Sequence, residues 1–325
     1  MTSRSEHRVL VTGATGVVGS WLTRRLLDEG AYVVALVRDM DPQSELLRSG
    51  TLQRTAVVNG DLEDAALVER SVVEHEVDTI VHLGAQTIVG AALRSPAATF
   101  SANLQGTWNV LEAARLHSSL VKSVVVASSD KAYGTADQLP YTEDMPLQGR
   151  GPYEVSKSCT DLLATSYAQT YGVPALIARC GNIYGGGDLN WSRIVPGTIR
   201  SLLQGEQPVL RSDGTFLRDY IYVEDVVDAY LLLAEVAHDG RFLGQGFNFS
   251  NESPLTVRQI YDLVCEATAG SQVEPEILGR AEHEIRDQYL SAAKAREKLG
   301  WSAQVTVSDG LARTVAWYRA LLARD

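Results

Sequence analysis

The sequence predicts an α/β fold: a doubly wound parallel sheet with a smaller C-terminal substrate-binding lobe. Three observations predict it. Apolar or β-branched runs alternate with helical patterns of about ten residues or more through the N-terminal half, which calls for crossover connections and hence a parallel sheet. The first run, Arg8 to Thr12, enters a glycine-spaced turn and then an amphipathic helix, GATGVVGSWLTRRLLDEG. After the sixth run the alternation breaks at RCGNIYGGGDLNWSRIVPG, Arg179 to Gly197, a stretch rich in glycine and polar residues. The division that follows is a sheet domain over residues 1–181, with segments near 220–235 returning to it, and a lobe mainly over residues 182–325.

The elements are justified in order. Gly13, Gly16 and Gly19 follow the first strand and open a helix carrying Trp21, Leu22, Leu26 and Leu27. That context suits a Rossmann-type dinucleotide turn, in which backbone approaches a pyrophosphate and the helix N-terminus aims at it. The candidates in this turn are Gly13, Thr15, Gly16, Val17 and Val18; mere turn chemistry is the blander reading of the glycines. The second strand, Tyr32 to Val37, ends in Arg38 and Asp39. An acid there takes ribose hydroxyls and an arginine a 2′-phosphate. Arg38 comes first, so the cofactor reading is NAD(P), leaning to NADP; a solvated surface pair is the alternative. A third strand around Thr55 to Val58 leads to Asp61 and Leu62, placed to flank adenine, although Asp61 suits a helix N-cap equally.

Thr79 to Leu83 reads as a fourth, buried strand, followed by Gly84 and Ala85, small enough for a ligand to approach the backbone beside Leu83. His82, inside that strand, reads as a packed histidine rather than a catalytic one. A long helical pattern runs from Ala97 to Leu116, with Asn103, Gly106 and Thr107 inside it. The fifth strand, Ser123 to Ala127, delivers Ser128, Ser129, Asp130 and Lys131. A helix then carries Tyr153 and Lys157, spaced four apart and so on one face. A lysine beside a tyrosine favours the phenolate by charge and lets the phenol act as a base near neutral pH. Alone, this spacing more often marks an aromatic with a solvated lysine. Ala175 to Ala178 supplies a sixth strand. Short strands at Pro208 to Leu210 and Gly246 to Phe249 fall in the lobe, while Tyr220 to Val223 and the helix Val226 to Glu235 return to the main sheet.

Composition bounds the function. The chain has 325 residues, 45% hydrophobic and 21% charged, the balance of a water-soluble globular protein. A net charge of −11 and a pI near 5.1 argue against nucleic acid, which calls for a basic face. The three cysteines, Cys159, Cys180 and Cys265, are scattered without metal spacing and read as core thiols of a reduced compartment. No cationic-then-apolar leader opens the sequence, and no apolar run approaches the roughly 18 residues of a membrane span. The expectation is a cytoplasmic protein with no membrane partner and no metal.

The ordered set TGATGVVG, GDL, HLGAQ, Asn103-x-x-Gly106-Thr107, Tyr153 with Lys157, GNIYGGGD, LRDYIYVED, NFSNE and KLGW resembles the extended short-chain dehydrogenase/reductase family, in particular its nucleotide-sugar epimerases and dehydratases. At the fifth strand end, Ser129-Asp130-Lys131 looks like the pattern of CDP-glucose 4,6-dehydratases, as does GNIYGGGDLN. The resemblance implies that Tyr153 deprotonates a sugar 4-hydroxyl, that Lys157 lowers its pKa and holds the nicotinamide ribose, and that Ser129 hydrogen-bonds the same hydroxyl. It implies substrate contacts at Gln86, Asn182 and Arg218, with Arg193 and Arg280 as further candidates. A guanidinium fork matches phosphate bidentately, which suits the arginines to a diphosphate.

The reaction implied first is a redox-neutral 4,6-dehydration of an NDP-hexose, with Asp130 and Lys131 as the additional acid–base pair. In that pair Lys131 serves as the base or as a stabiliser of enolate charge. A 4-epimerase is the alternative and has no use for that pair. A non-catalytic dinucleotide-binding protein is a third reading, since fold does not fix function. The helices Ala97 to Leu116 and Pro152 to Tyr171 show apolar positions on more than one face, among them Leu111, Ala114, Leu162, Leu163 and Tyr167. Relatives pair these helices into an intersubunit four-helix bundle, so a homodimer is expected.

Overall fold

A computed structural model describes residues 6–270, 272–279 and 284–323; Arg280 lies outside the described residues. Six parallel strands come first: β1 (Arg8–Thr12), β2 (Tyr32–Val37), β3 (Ala56–Asn59), β4 (Thr79–His82), β5 (Ser123–Ala127) and β6 (Ala175–Cys180). A seventh, Gly246–Phe249, pairs with β6 at the edge. In space the order is Gly246–Phe249, β6, β5, β4, β1, β2, β3. The direction of winding reverses between β1 and β4, and ligands of such sheets sit outside the strand carboxyl ends at that switch.

Except for the edge strand β3, where Val57 and Asn59 are exposed, each strand of the sheet buries both faces. Val9 and Val11 join the core beneath the helices Val17–Asp28 and Val223–His238, whereas Leu10 joins the opposite core beneath Ala65–Glu74, Gly106–Leu116 and Pro152–Tyr171. That double burial is why the strands read as unbroken apolar runs rather than as alternation.

Several expectations are revised. Tyr220–Tyr222 does not enter the main sheet but pairs with Asn182–Tyr184 in a separate two-stranded sheet. The strand that does return is Gly246–Phe249, expected in the lobe. A short apolar run records that it is buried, not which neighbour buries it. The helix after Tyr222 does pack on the main sheet, as expected. Asp64, not Asp61, caps the Ala65–Glu74 helix, its Oδ1 accepting from Leu67 N at 3.0 Å. The long helical pattern is present as Pro96–Phe100, a π turn over Ser101–Gln105, and Gly106–Leu116; such π turns are frequent at functional sites. On the outer helices Leu111 and Ala114 are wholly buried in the core, and the exposed apolar side chains are Trp108, Leu116, Leu162 and Tyr171. Among the described residues no helix is long and apolar enough to cross a membrane.

Candidate active site

A cleft of about 1090 Å³ opens where β1, β4 and β5 end, lined by the glycine turn, Leu83 to Ala85 and Ala127 to Lys131. The turn is built for close approach. Gly13 has φ +67°, and a Cβ on it would lie 2.8 Å from Gly84 N. A Cβ on Gly19 would overlap the Gly13 carbonyl oxygen, so the helix seats against the turn only without a side chain there. Gly16 caps the Val17–Asp28 helix with no side-chain cap, and the first turn holds no acidic residue. Its free N–H groups and the positive end of its dipole therefore face the cleft, which fits a dinucleotide pyrophosphate.

Thr15, Val17, Val18, Leu62, Leu83, Gly84 and Ala85 all line this half of the cleft, whereas Asp61 does not. Arg38 and Asp39 stand at its rim, paired Nε to Oδ2 at 2.6 Å with side chains 58% and 75% exposed. The guanidinium behind the lean to NADP is thus already engaged by its neighbour's carboxylate.

The reactive half is assembled from the end of β5 and the start of the Pro152–Tyr171 helix. Ser129 Oγ donates to Asp130 Oδ1 at 2.8 Å and accepts from Lys131 N at 3.2 Å. Asp130 is 1% exposed, and its Oδ2 has no hydrogen-bond partner. Lys131 Nζ lies 3.7 Å from Asp130 Oδ1. Tyr153 is buried, with the Ser129 side chain beside its hydroxyl. Burial pushes its phenol up to about 12; the Arg193 charge and the Ser129 side chain pull it down, and the Asp130 charge pushes it up.

Lys157 is buried. Its Nζ donates to the Ala127 carbonyl at 2.7 Å, and burial pushes the ammonium down to about 8, opposed by the Asp161 charge. Tyr153 and Lys157 share a helix face, and the Arg193 charge favours the phenolate as well.

His82 is a packed histidine, as expected: it bridges Thr12 Oγ1 at 2.9 Å and Thr107 Oγ1 at 3.0 Å. Burial, then the Lys157 charge, lowers its pKa to about 3, so it is neutral. Asn103, in the π turn, grips the loop after β4. Its Oδ1 accepts from Gln86 N at 2.6 Å, and its Nδ2 donates to Gln86 O at 3.1 Å and to Ser156 Oγ at 2.8 Å. Gln86 itself is held through its backbone and is not among the lining residues.

Asn182, Arg193 and Arg218 line the other half. Asn182 Nδ2 is buried without a partner. Arg193 Nη1 pairs with Asp188 Oδ2 at 2.9 Å. Arg218 Nη1 donates to the Leu217 and Arg286 carbonyls at 2.8 and 2.7 Å, while Nη2 lies 3.4 Å from Glu284 Oε2. Among the lining residues that the sequence does not mark are Arg211, paired with Glu284 Oε1 at 3.2 Å, Glu284 itself, and Gln288. None sits at a motif spacing, so no local signal marked them.

A sequence model of the NAD dependent epimerase/dehydratase family matches residues 9–243. The chain is 29% identical to a CDP-glucose 4,6-dehydratase of Salmonella typhimurium, over 96% of this chain and 90% of that one. It is 32% identical to a UDP-glucose 4-epimerase of Mycolicibacterium smegmatis, over 96% and 98% of the two chains. Its fold is similar to that of a dTDP-glucose 4,6-dehydratase of Streptomyces venezuelae crystallised with NAD, with a TM-score of 0.86, 30% identity and coverage of 96% and 97%.

Proposed function

Because the chain belongs to the NAD dependent epimerase/dehydratase family, we propose that it is a nucleotide-sugar 4,6-dehydratase, a lyase that converts an NDP-hexose to an NDP-4-keto-6-deoxyhexose. The observation that carries this reading is the Asp130–Lys131 pair lining the same cleft as Tyr153. Loss of water requires an acid–base pair beyond the tyrosine.

The turn from Gly13 to Val18 would hold NAD, which would supply a reversible hydride acceptor between C4 and C6, so the reaction needs no net oxidant. Tyr153 takes the proton of the 4-hydroxyl, with Ser129 hydrogen-bonded alongside. The C4 ketone acidifies the C5 proton. Asp130 takes that proton, because its Oδ2 is the acceptor with no other bond. The Lys131 ammonium donates a proton to the departing 6-hydroxyl, which leaves as water. The Asp130 proton then goes back to C5, and the proton that Tyr153 took from the 4-hydroxyl replaces the one Lys131 gave to water, so atoms balance and the enzyme is restored. Arg218, Arg193 and Asn182 hold the diphosphate in this reading. The dinucleotide is NAD; Arg38 would give NADP an advantage only by leaving Asp39, which binding of the two cofactors side by side would reveal.

Incubation with a panel of NDP-hexoses, read by NMR, tests the proposal. A 4-keto-6-deoxy product supports it, and a 4-epimer product overturns it. The second reading, a 4-epimerase, is favoured by the near full-length similarity to the M. smegmatis UDP-glucose 4-epimerase. It uses Tyr153, Lys157 and Ser129 but leaves Asp130 and Lys131 without a chemical task.

The chain acts as a homodimer in this proposal, through the outer faces of Gly106–Leu116 and Pro152–Tyr171. Trp108, Leu116, Leu162 and Tyr171 are 43%, 51%, 58% and 59% exposed there, an apolar set that asks for a cover. A four-helix bundle between two copies supplies it. Light scattering should give twice the chain mass for the wild type and a monomer for Leu162→Asp.

A further inference from the structure

We propose that Gln288 is a positioning residue of the reaction, holding the Lys131 ammonium at the place where water is lost. The inference rests on the dehydratase reading above.

Gln288 comes from the C-terminal lobe and is 1% exposed. Its backbone is fixed to the strand Leu217–Arg218, since Gln288 N donates to Leu217 O at 3.1 Å and the residue forms a bridge with Arg218. Its side chain reaches across the cleft, and Oε1 accepts from Lys131 Nζ at 3.3 Å, although the two residues are 157 positions apart in the chain. An ammonium has only donors, so the amide atom facing it is the oxygen and the orientation of the amide follows. Nε2 is buried with no hydrogen-bond partner.

A buried amide that satisfies only one end is costly relative to a fully paired one. A methionine would fill the same space at no such cost. What the glutamine supplies in return is a neutral acceptor for Lys131. A carboxylate is already present on the other side, Asp130 Oδ1, at 3.7 Å. The ammonium is therefore held from both lobes, with Asp130 on the sheet domain and Gln288 on the lobe. Misplacing a catalytic group by about 1 Å is enough to cost about 10²-fold in rate. Without Gln288 the lysine keeps its charge and its flexible stem but loses the contact that aims it.

The test compares Gln288→Met, Gln288→Glu and Lys131→Met with the wild type, each checked for folding by thermal melting. Two quantities are read: the absorbance of reduced nicotinamide after mixing with substrate, and the yield of 4-keto-6-deoxy product. Methionine keeps the volume and removes the acceptor, whereas glutamate keeps an oxygen for Lys131. The expected result is that Gln288→Met slows product formation by about 10²-fold while reduced nicotinamide builds up. Gln288→Glu should stay within a few-fold of the wild type. A residue that merely filled space would show no accumulation and no difference between the two variants in product yield. Should Lys131→Met stop dehydration while Gln288→Met does not, the positioning role is overturned and the dehydratase reading stands. Should Lys131→Met itself dehydrate at the wild-type rate, the role of Lys131 falls, and that of Gln288 with it.

Discussion

Arg179 and Asp161 form a buried, two-pronged ion pair. Nε meets Oδ2 at 2.8 Å and Nη2 meets Oδ1 at 2.8 Å, with side chains 8% and 1% exposed. The pair ties β6 to the helix that carries Tyr153 and Lys157. Arg179 Nη1 also donates to the Tyr133 hydroxyl at 2.7 Å, so the guanidinium spans two elements of the cleft wall. Removing one partner of such a pair leaves an uncompensated charge in the core and costs about 3–5 kcal/mol. Asp161→Ala should therefore lower stability by about that amount in denaturant titration. A loss under 1 kcal/mol would mean that water reaches Arg179.

The roles of Asp130 and Lys131 predict a contrast between variants. Lys131→Met and Asp130→Asn should retain C4 oxidation and lose elimination, so reduced nicotinamide builds up with little 6-deoxy product. General acid–base groups contribute about 10²–10⁴-fold, which sets the size of the loss. Tyr153→Phe should block the first step, and no reduced nicotinamide should form. Stopped-flow absorbance with product NMR distinguishes the two outcomes.

Lys157 predicts a pH dependence of stability. Its folded pKa of about 8 is depressed from the ordinary 10.5. Below about pH 8 the ammonium is charged in both states, and its burial carries the full cost. Between about pH 8 and 10.5 the unfolded chain binds more protons, so this group's contribution to stability rises with pH. Lys157→Met should thus stabilise the protein near pH 7, by up to roughly 3 kcal/mol, while abolishing turnover. The gain should fade through the alkaline window. A variant less stable than the wild type at pH 7 would show that the Ala127 hydrogen bond outweighs the burial.

Gly19 predicts a loss of cofactor. Its missing Cβ is what allows the Val17–Asp28 helix to seat against the Gly13 carbonyl. Overpacking of this kind costs about 1–3 kcal/mol, and the displaced helix end would no longer face the pyrophosphate. Gly19→Ala should bind NAD at least about tenfold more weakly in calorimetry, whereas Gly50→Ala, far from the turn, should not.

What the sequence determined by itself is everything that rests on local spacing. The glycine turn, the six strands of the dinucleotide half, the helix Pro152–Tyr171 and the Ser129–Asp130–Lys131 strand end follow from periodicity and from what glycine permits. Tyr153 and Lys157 share a face because four residues make about one helical turn. Partner choice between distant segments came only with the tertiary structure. Tyr220–Tyr222 and Gly246–Phe249 are both short apolar runs, and which of them completes the sheet depends on the edge of β6, not on either run. Leu111 and Ala114 face inward because a helix apolar on several sides does not say which side the core takes. Lys157 donates to the Ala127 carbonyl and Arg193 pairs with Asp188, because each charge goes to whatever polar group the folded cleft presents. Gln288 meets Lys131 only when the lobe closes on the sheet. A spacing encodes a face; a contact across 157 residues is decided by how those faces come to rest against one another.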